Sequence, residues 1–245
     1  MDKSYESKYH LLEESNWWFV ARRDIILKLI KKLDLKKNAK ILEIGCSGGP
    51  LLKFLKQNGF LNIYGIDISA SAIDLCRMRR IKNVAVMDGA KTQFKNGEFD
   101  LIIASDILEH INVDTSALSE WYRLLKPNGR LIIFVPAFNF LWSTHDETNY
   151  HYRRYSKSLL LKKLEKANFK INRSSYWNFC LFFPTAAMRI LQRFSVKKKS
   201  KTKDQLYKLT PLVNNGLIIL LKVENWFLKF LNFPIGVSIF AICKK

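Results

Sequence analysis

The sharpest chemistry in this chain of 245 residues lies in Lys40-Ile-Leu-Glu-Ile-Gly-Cys-Ser-Gly-Gly49 and in Tyr64-Gly-Ile-Asp67. An apolar strand runs into a loop of small residues, a helix follows, and a second strand ends in a lone acid. Small residues let backbone approach a ligand closely and tolerate positive φ. The helix behind the loop offers unpaired N–H groups and the positive end of its dipole. Asp67 stands where a ribose presents its hydroxyl pair. Together Gly45, Cys46, Ser47, Gly49, Asp67 and Ile68 describe a nucleoside pocket.

The acid inside the first strand decides between ligands. A dinucleotide site uses G-x-G-x-x-G so that the helix N-terminus holds a pyrophosphate. Glu43 would repel a pyrophosphate but suits a ligand with cationic groups, such as S-adenosylmethionine (SAM), which has a sulfonium, an ammonium and no phosphate. The pattern Glu43-x-Gly45-x-Ser47-x-Gly49 resembles the first motif, E-x-G-x-G-x-G, of the class I SAM-dependent methyltransferases. Ser47 replaces the middle glycine, which leaves room for the ligand if φ there is negative.

The resemblance extends through Val84-Ala-Val-Met-Asp88-Gly89, Phe99-Asp-Leu-Ile-Ile-Ala-Ser105-Asp-Ile-Leu-Glu-His110 and Leu125-Lys-Pro-Asn-Gly129-Arg-Leu-Ile-Ile-Phe-Val135. It implies that Asp88 and Gly89 meet the adenine and that Ser105 begins the loop over the methionine part. Within the family the chain resembles the type 11 and 12 group, including quinone-pathway and surface-glycan-associated methyltransferases. The segment Trp17-Trp-Phe-Val-Ala-Arg-Arg23 then implies a helical lid, with Trp18 towards the acceptor and Arg22 reaching the SAM carboxylate, or else tryptophans that only cover the core. The implied fold is α/β. It is a Rossmann-like, mostly parallel seven-stranded sheet with helices on both faces, an N-terminal helical lid and a helical insertion between strands six and seven.

Methyl transfer to oxygen also requires a base, because the acceptor must lose a proton. His145-Asp146 and His151-Tyr-Arg153-Arg154-Tyr155 follow the fifth strand, and open α/β sheets bind ligands at the carboxyl ends of their strands. His145 with Asp146 reads as a base and its orienting acid, or as a capped turn. His151 is a further candidate catalytic residue, and with Arg154 and Tyr155 it reads as part of the acceptor wall, with the arginines suited to an anionic substrate, or as an exposed basic helix start. His110 completes the candidate acceptor contacts. Quinone-pathway relatives link an E-x-x-E-H array to a divalent metal, and the matching residues here are Asp106, Glu109 and His110. The expectation for this chain is no metal.

Positioning these groups requires alternating elements. The candidate strands are 40–45, 62–67, 83–88, 99–104, 129–135, 169–176 and 236–243. Helices are expected over 5–34, 50–58, 70–80, 114–125 and 157–167, with a loop over 136–155. Four regions follow: a lid at 1–38, a SAM-binding core at 39–176, an apolar and basic insertion at 177–234, and a final strand at 235–245. In the insertion, apolar helices at 179–194 and 212–231 flank the lysine run Lys197–Lys203. That pattern suits a bilayer interface, packing on the sheet, or a dimer contact.

Composition narrows the context. A net charge of +20 favours polyanions, either an anionic membrane surface or nucleic acid. No separate RNA-binding module is visible, and the basic cluster is interleaved with aliphatics rather than stacking aromatics. The four cysteines form no C-x-x-C pair, no apolar leader opens the chain, and no uncharged run is long enough to span a bilayer. The expected setting is cytoplasmic, with peripheral association at the inner face of the cell membrane. The expected function is SAM-dependent methylation of a small-molecule, lipid or lipid-linked glycan acceptor at oxygen. An RNA methyltransferase and a non-catalytic SAM-binding protein stand as alternatives.

Overall fold

The computed structural model describes residues 9–194 and 209–245. Its centre is a seven-stranded sheet in the order β3-β2-β1-β4-β5-β7-β6. The strands are β1 Ile41–Ile44, β2 Ile63–Asp67, β3 Val84–Val86, β4 Phe99–Ser105, β5 Leu125–Pro136, β6 Lys170–Trp177 and β7 Ser238–Lys244. β1, β2, β3, β4 and β5 pair in parallel, while β7 runs antiparallel between β5 and β6. β1 is buried along its whole length, as a strand covered on both faces must be. The strand order reverses between β1 and β4, so a crevice opens beyond their carboxyl ends.

Helices α1 Trp17–Ile30, α2 Pro50–Gln57 and α3 Ala70–Met78 lie on one face, and α4 Asp114–Leu124 and α6 Lys157–Lys166 on the other. Their starts are written in the sequence. Asn16 accepts from the Trp18 N–H, Ser69 from Ala72 and Ser156 from Leu159, each satisfying a first-turn donor. The helix expected over 5–34 is interrupted: a helical turn over 9–12 ends, and α1 begins afresh after the Asn16 cap. Arg23 seals that break by donating to the carbonyls of Glu13 and Glu14, both at 2.6 Å. The loop expected over 136–155 contains a short helix, α5 Thr144–Thr148.

The insertion between β6 and β7 holds α7 Phe182–Phe194 and α8 Pro211–Phe227. The lysine run Lys197–Lys203 lies outside the described residues. α8 packs on α1, and two buried polar side chains fasten it there. Asn225 accepts from the Trp177 indole N–H (2.8 Å) and donates to the Ala21 carbonyl (2.9 Å) and Asp24 (2.8 Å). Glu224 accepts from the backbone N–H groups of Asn178 (2.6 Å) and Cys180 (2.9 Å). One face of α8 therefore belongs to the core, through Leu221 and Leu228. Among the described residues, no helix is long and apolar enough to cross a membrane.

Asn225→Leu strands the indole N–H and a helix carbonyl in the interior. It should cost about 2–4 kcal/mol of stability, the scale of several buried groups losing partners. Urea unfolding followed by tryptophan fluorescence measures it.

Candidate active site

Glu43, one residue before the end of β1, is buried, with Oε2 lacking a hydrogen-bond partner among the described residues. Burial drives its pKa well above the carboxylate range, and the negative charges of Glu13 and Asp67 add to the rise. The loop after it turns through Gly45 at φ +74 and Gly49 at φ +81. A Cβ on Gly45 would sit 2.6 Å from the Ile107 side chain, so only glycine allows this approach. Ser47 also takes positive φ, +48, which corrects the expectation of a negative value. Its strain is held by contacts: its N–H donates to Asp67 (2.9 Å) and its hydroxyl to Glu13 (2.6 Å).

Asp67 accepts a second backbone bond from Ser69 (2.9 Å), which fixes its carboxylate at the tip of β2. Ile68 beside it is exposed. Asp88 lies beyond β3, where its carboxylate accepts from the Ala90 N–H (2.8 Å), and a Cβ on Gly89 would meet Ile44 at 2.6 Å. Cys46, expected among the loop residues of the pocket, follows Gly45 in that loop. Its thiol is buried and turned towards the Ser47 carbonyl and Cys76.

The N-terminal segment reaches the loop directly, which the sequence did not reveal. Buried Glu13 accepts from Arg79 (3.1 Å), and Arg79 donates to the Gly48 carbonyl (2.6 Å). The His10 ring nitrogen lies 3.2 Å from the Ser47 hydroxyl. From α1, Arg22 enters the sheet tips between the rings of Phe134 and Trp177, each 4.1 Å from its guanidinium carbon, with Trp18 at 5.1 Å. It donates to Ser238 (3.0 Å) and pairs with Asp106 (3.2 Å), and Ser105 donates to the same carboxylate (3.0 Å). Nε and Nη1 of Arg22 are buried without partners.

Glu109 is a second buried carboxyl with an unpartnered Oε2. Burial raises its pKa strongly, and the Asp106 charge adds to that. Orphaned carboxyl oxygens and guanidinium nitrogens at one set of strand tips fit the two ends of a zwitterionic amino acid, the methionine part of SAM. Glu43 would meet its cationic groups and Arg22 its carboxylate, with Asp67 and Asp88 on the ribose and adenine.

The acceptor side is organised by Asp146, which is fully buried at the start of α5. It accepts from His151 Nδ1 (2.9 Å) and from Arg154 Nε (2.8 Å) and Nη2 (3.1 Å). Burial opposes its ionisation, yet the bonds from His151 and Arg154 hold its pKa well below the usual range. The expected pairing of His145 with Asp146 is thereby corrected: the carboxylate orients His151. The His145 ring lies beside Asn149, its pKa pushed down by burial to about 4. An ionised Asp146 at Nδ1 leaves the lone pair of neutral His151 on Nε2.

Two more expected acceptor contacts are corrected. Arg154 is buried and spent on Asp146 and the Ala137 carbonyl, and Tyr155 is fully buried with its hydroxyl donating to Asp114 (3.0 Å). The His110 ring meets His151 edge-on at 4.5 Å, and burial drives its pKa down to about 3. Ligand atoms of Glu109, His110 and His151 all lie within 4.8 Å of one another, a different grouping from Asp106, Glu109 and His110. Arg189 of α7 is a further group the sequence did not mark. Its Nε is buried without a partner, and the charges of Arg154 and Asp146 both act on it.

Residues 42–133 match the model of a family described as a methyltransferase domain. The chain is 32% identical over 157 residues to an uncharacterised protein of Methanocaldococcus jannaschii, covering 64% of this chain and 65% of that one. It is 28% identical over 106 residues to a ubiquinone biosynthesis O-methyltransferase of Pseudomonas aeruginosa, covering 41% of this chain and 44% of the relative. It thus spans less than two thirds of either relative. In fold it is similar to a SAM-dependent methyltransferase from Archaeoglobus fulgidus, with a TM-score of 0.59 at 19% identity over 97% of this chain and 99% of the other.

Because Glu43 keeps its proton in the folded chain at pH values where the unfolded chain has released it, stability falls as pH rises through that window. Glu43→Gln should flatten this slope and raise the urea midpoint at about pH 8 relative to about pH 5. SAM affinity should fall roughly ten-fold, the scale of one lost charged hydrogen bond. Unfolding curves at both pH values and titration calorimetry with SAM measure the two effects.

Proposed function

We propose, from a core that belongs to the class I SAM-dependent methyltransferases of the type 11 group, that this chain transfers a methyl group to an oxygen of a small-molecule or lipid-borne acceptor. The observation that carries the reading is the Asp146–His151 pair at the carboxyl ends of the strands, with a carboxylate oxygen of Glu109 within 4.8 Å of a His151 ring nitrogen. The name of the Pseudomonas aeruginosa relative supports oxygen as the atom methylated.

When bound, SAM supplies an electrophilic methyl on a sulfonium. The residues of the chain do the rest. Arg22 and Glu43 hold the cofactor's amino-acid end, and the packing of Ile107 on Gly45 shapes the floor beneath it. Displacement at the methyl carbon is in line, so alignment of the acceptor is the larger part of catalysis. His151, its tautomer set by Asp146, takes the proton from the acceptor hydroxyl. Arg189, near enough for the Asp146 charge to act on it and with Nε lacking a partner, favours an acceptor carrying phosphate or carboxylate. All four cysteines are free thiols, which supports a cytoplasmic setting. The exposed apolar residues of α7, Phe183, Met188 and Leu191, support a lipid-borne acceptor at the inner membrane face.

His151→Ala should lower turnover by about 10²–10⁴-fold, the usual yield of a general base, with SAM affinity unchanged. His145→Ala should stay near the wild-type rate. The assay is transfer of tritiated methyl from SAM into a cell extract that is then partitioned into lipid, RNA and protein. Wild-type turnover in His151→Ala would remove it as the base. Label confined to RNA would overturn the choice of acceptor.

A further inference from the structure

α8 is apolar on two opposite sides. Its inner side is accounted for by Leu221, Asn225 and Leu228 in the core. On the opposite side, Leu212 is 84% exposed, Ile219 64%, Val223 50%, Trp226 50% and Phe230, just past the helix, 72%. Their spacing of seven, four, three and four residues is helical, so they form one continuous outward stripe. Trp226 and Phe230 meet edge to face at 5.3 Å at its end. A stripe of this size on a soluble surface marks a contact with something apolar.

Cations rim the stripe. Lys32 approaches the Phe230 ring at 5.7 Å and donates to the Lys229 carbonyl, and Lys222 lies on the same flank of α8 as Lys229. Burial and then the charges of Arg173 and Lys229 lower the pKa of Lys32, a sign of cations crowded together. No ion pair among the described residues involves Lys32, Lys222 or Lys229. The only acid in α8, Glu224, is buried and turned inward.

We infer that the outer stripe of α8 docks in the plane of an anionic bilayer surface, with Trp226 and Phe230 entering the interface and Lys32, Lys222 and Lys229 meeting lipid phosphates. The inference rests on the methyltransferase reading above and deepens it, since a docked α8 holds the chain on the surface that carries a lipid-borne acceptor. Charge complementarity selects this occupant. A second copy would bring like-charged rims together on chains that each carry +20. RNA would satisfy the lysines but gain nothing from Leu212, Ile219 and Val223. α8 is not long and apolar enough to cross a membrane, and its inner side is held on α1, so it lies flat.

The test is co-sedimentation of the full chain with phosphatidylcholine vesicles, with and without phosphatidylglycerol. Wild type should bind the anionic vesicles about ten-fold more tightly than the neutral ones. The W226E/F230E variant should lose roughly ten-fold or more of that binding, and K222E/K229E should lose the preference for anionic lipid. Circular dichroism and SAM calorimetry should remain as in wild type for both variants. Equal binding to both vesicles, or binding indifferent to W226E/F230E, overturns the inference. So does a dimer that W226E/F230E disperses, or RNA binding that this variant abolishes while vesicles go unbound. Wild type that binds vesicles but not SAM would sink the methyltransferase reading and leave the docking surface standing.

Discussion

The strand tips of this protein are arranged around one buried cation. Arg22 is carried by α1 into a slot walled by Phe134, Trp177 and Trp18, where ring faces receive its charge and water does not. A guanidinium keeps its proton even when burial lowers its pKa, so the surroundings must answer a fixed positive charge. Asp106 and Ser238 answer it in part, from the ends of β4 and β7. This one side chain therefore ties the N-terminal helix to both the parallel and the antiparallel halves of the sheet. It also leaves two guanidinium nitrogens, Nε and Nη1, without partners among the described residues.

The same helix explains why the insertion has its form. α1 offers the Ala21 carbonyl and Asp24 to Asn225, and the sheet offers the Trp177 indole to the same amide. A buried amide with three partners fixes the rotation of α8 about its axis, because turning it would leave each partner unsatisfied. With the rotation fixed, the outward direction of Leu212, Ile219, Val223 and Trp226 follows. The outer stripe is thus a consequence of polar bonds on the opposite side of the helix.

Much of the fold was legible because strand-end acids and small loops are local signals. β1, β2, β4 and β7 lie close to where apolar runs bounded by Asp67, Ser105 and Gly236 put them. What escaped were contacts made by chain that doubles back. In the sequence Asp146 adjoins His145, but the turn after α5 brings His151 and Arg154 round to the carboxylate, and adjacent residues on a helix point apart. Tyr155 reads as a polar wall residue, yet its hydroxyl finds Asp114 inside the core, a pairing 41 residues apart that no spacing announces. Glu13 on Ser47 and Arg189 near Asp146 are likewise products of tertiary packing. A serine carries no signal for the positive φ that Ser47 adopts; Asp67 and Glu13 hold it there through its N–H and its hydroxyl.

The balance of unpaired groups at the strand tips argues for the identity of the ligand more closely than the glycine loop does. Glu43 and Glu109 each keep an oxygen without a partner, and Arg22 keeps two nitrogens. A pyrophosphate would satisfy the guanidinium but face two buried carboxyls that burial already holds against ionisation. A purely cationic ligand would relieve the carboxyls and leave Arg22 short of an anion. A ligand bearing ammonium, sulfonium and carboxylate on one short chain answers both, and it lets Glu43 and Glu109 ionise as the positive groups arrive. The polar groups at these strand tips thus suit a zwitterion better than a phosphate, on the same fold that elsewhere serves dinucleotides.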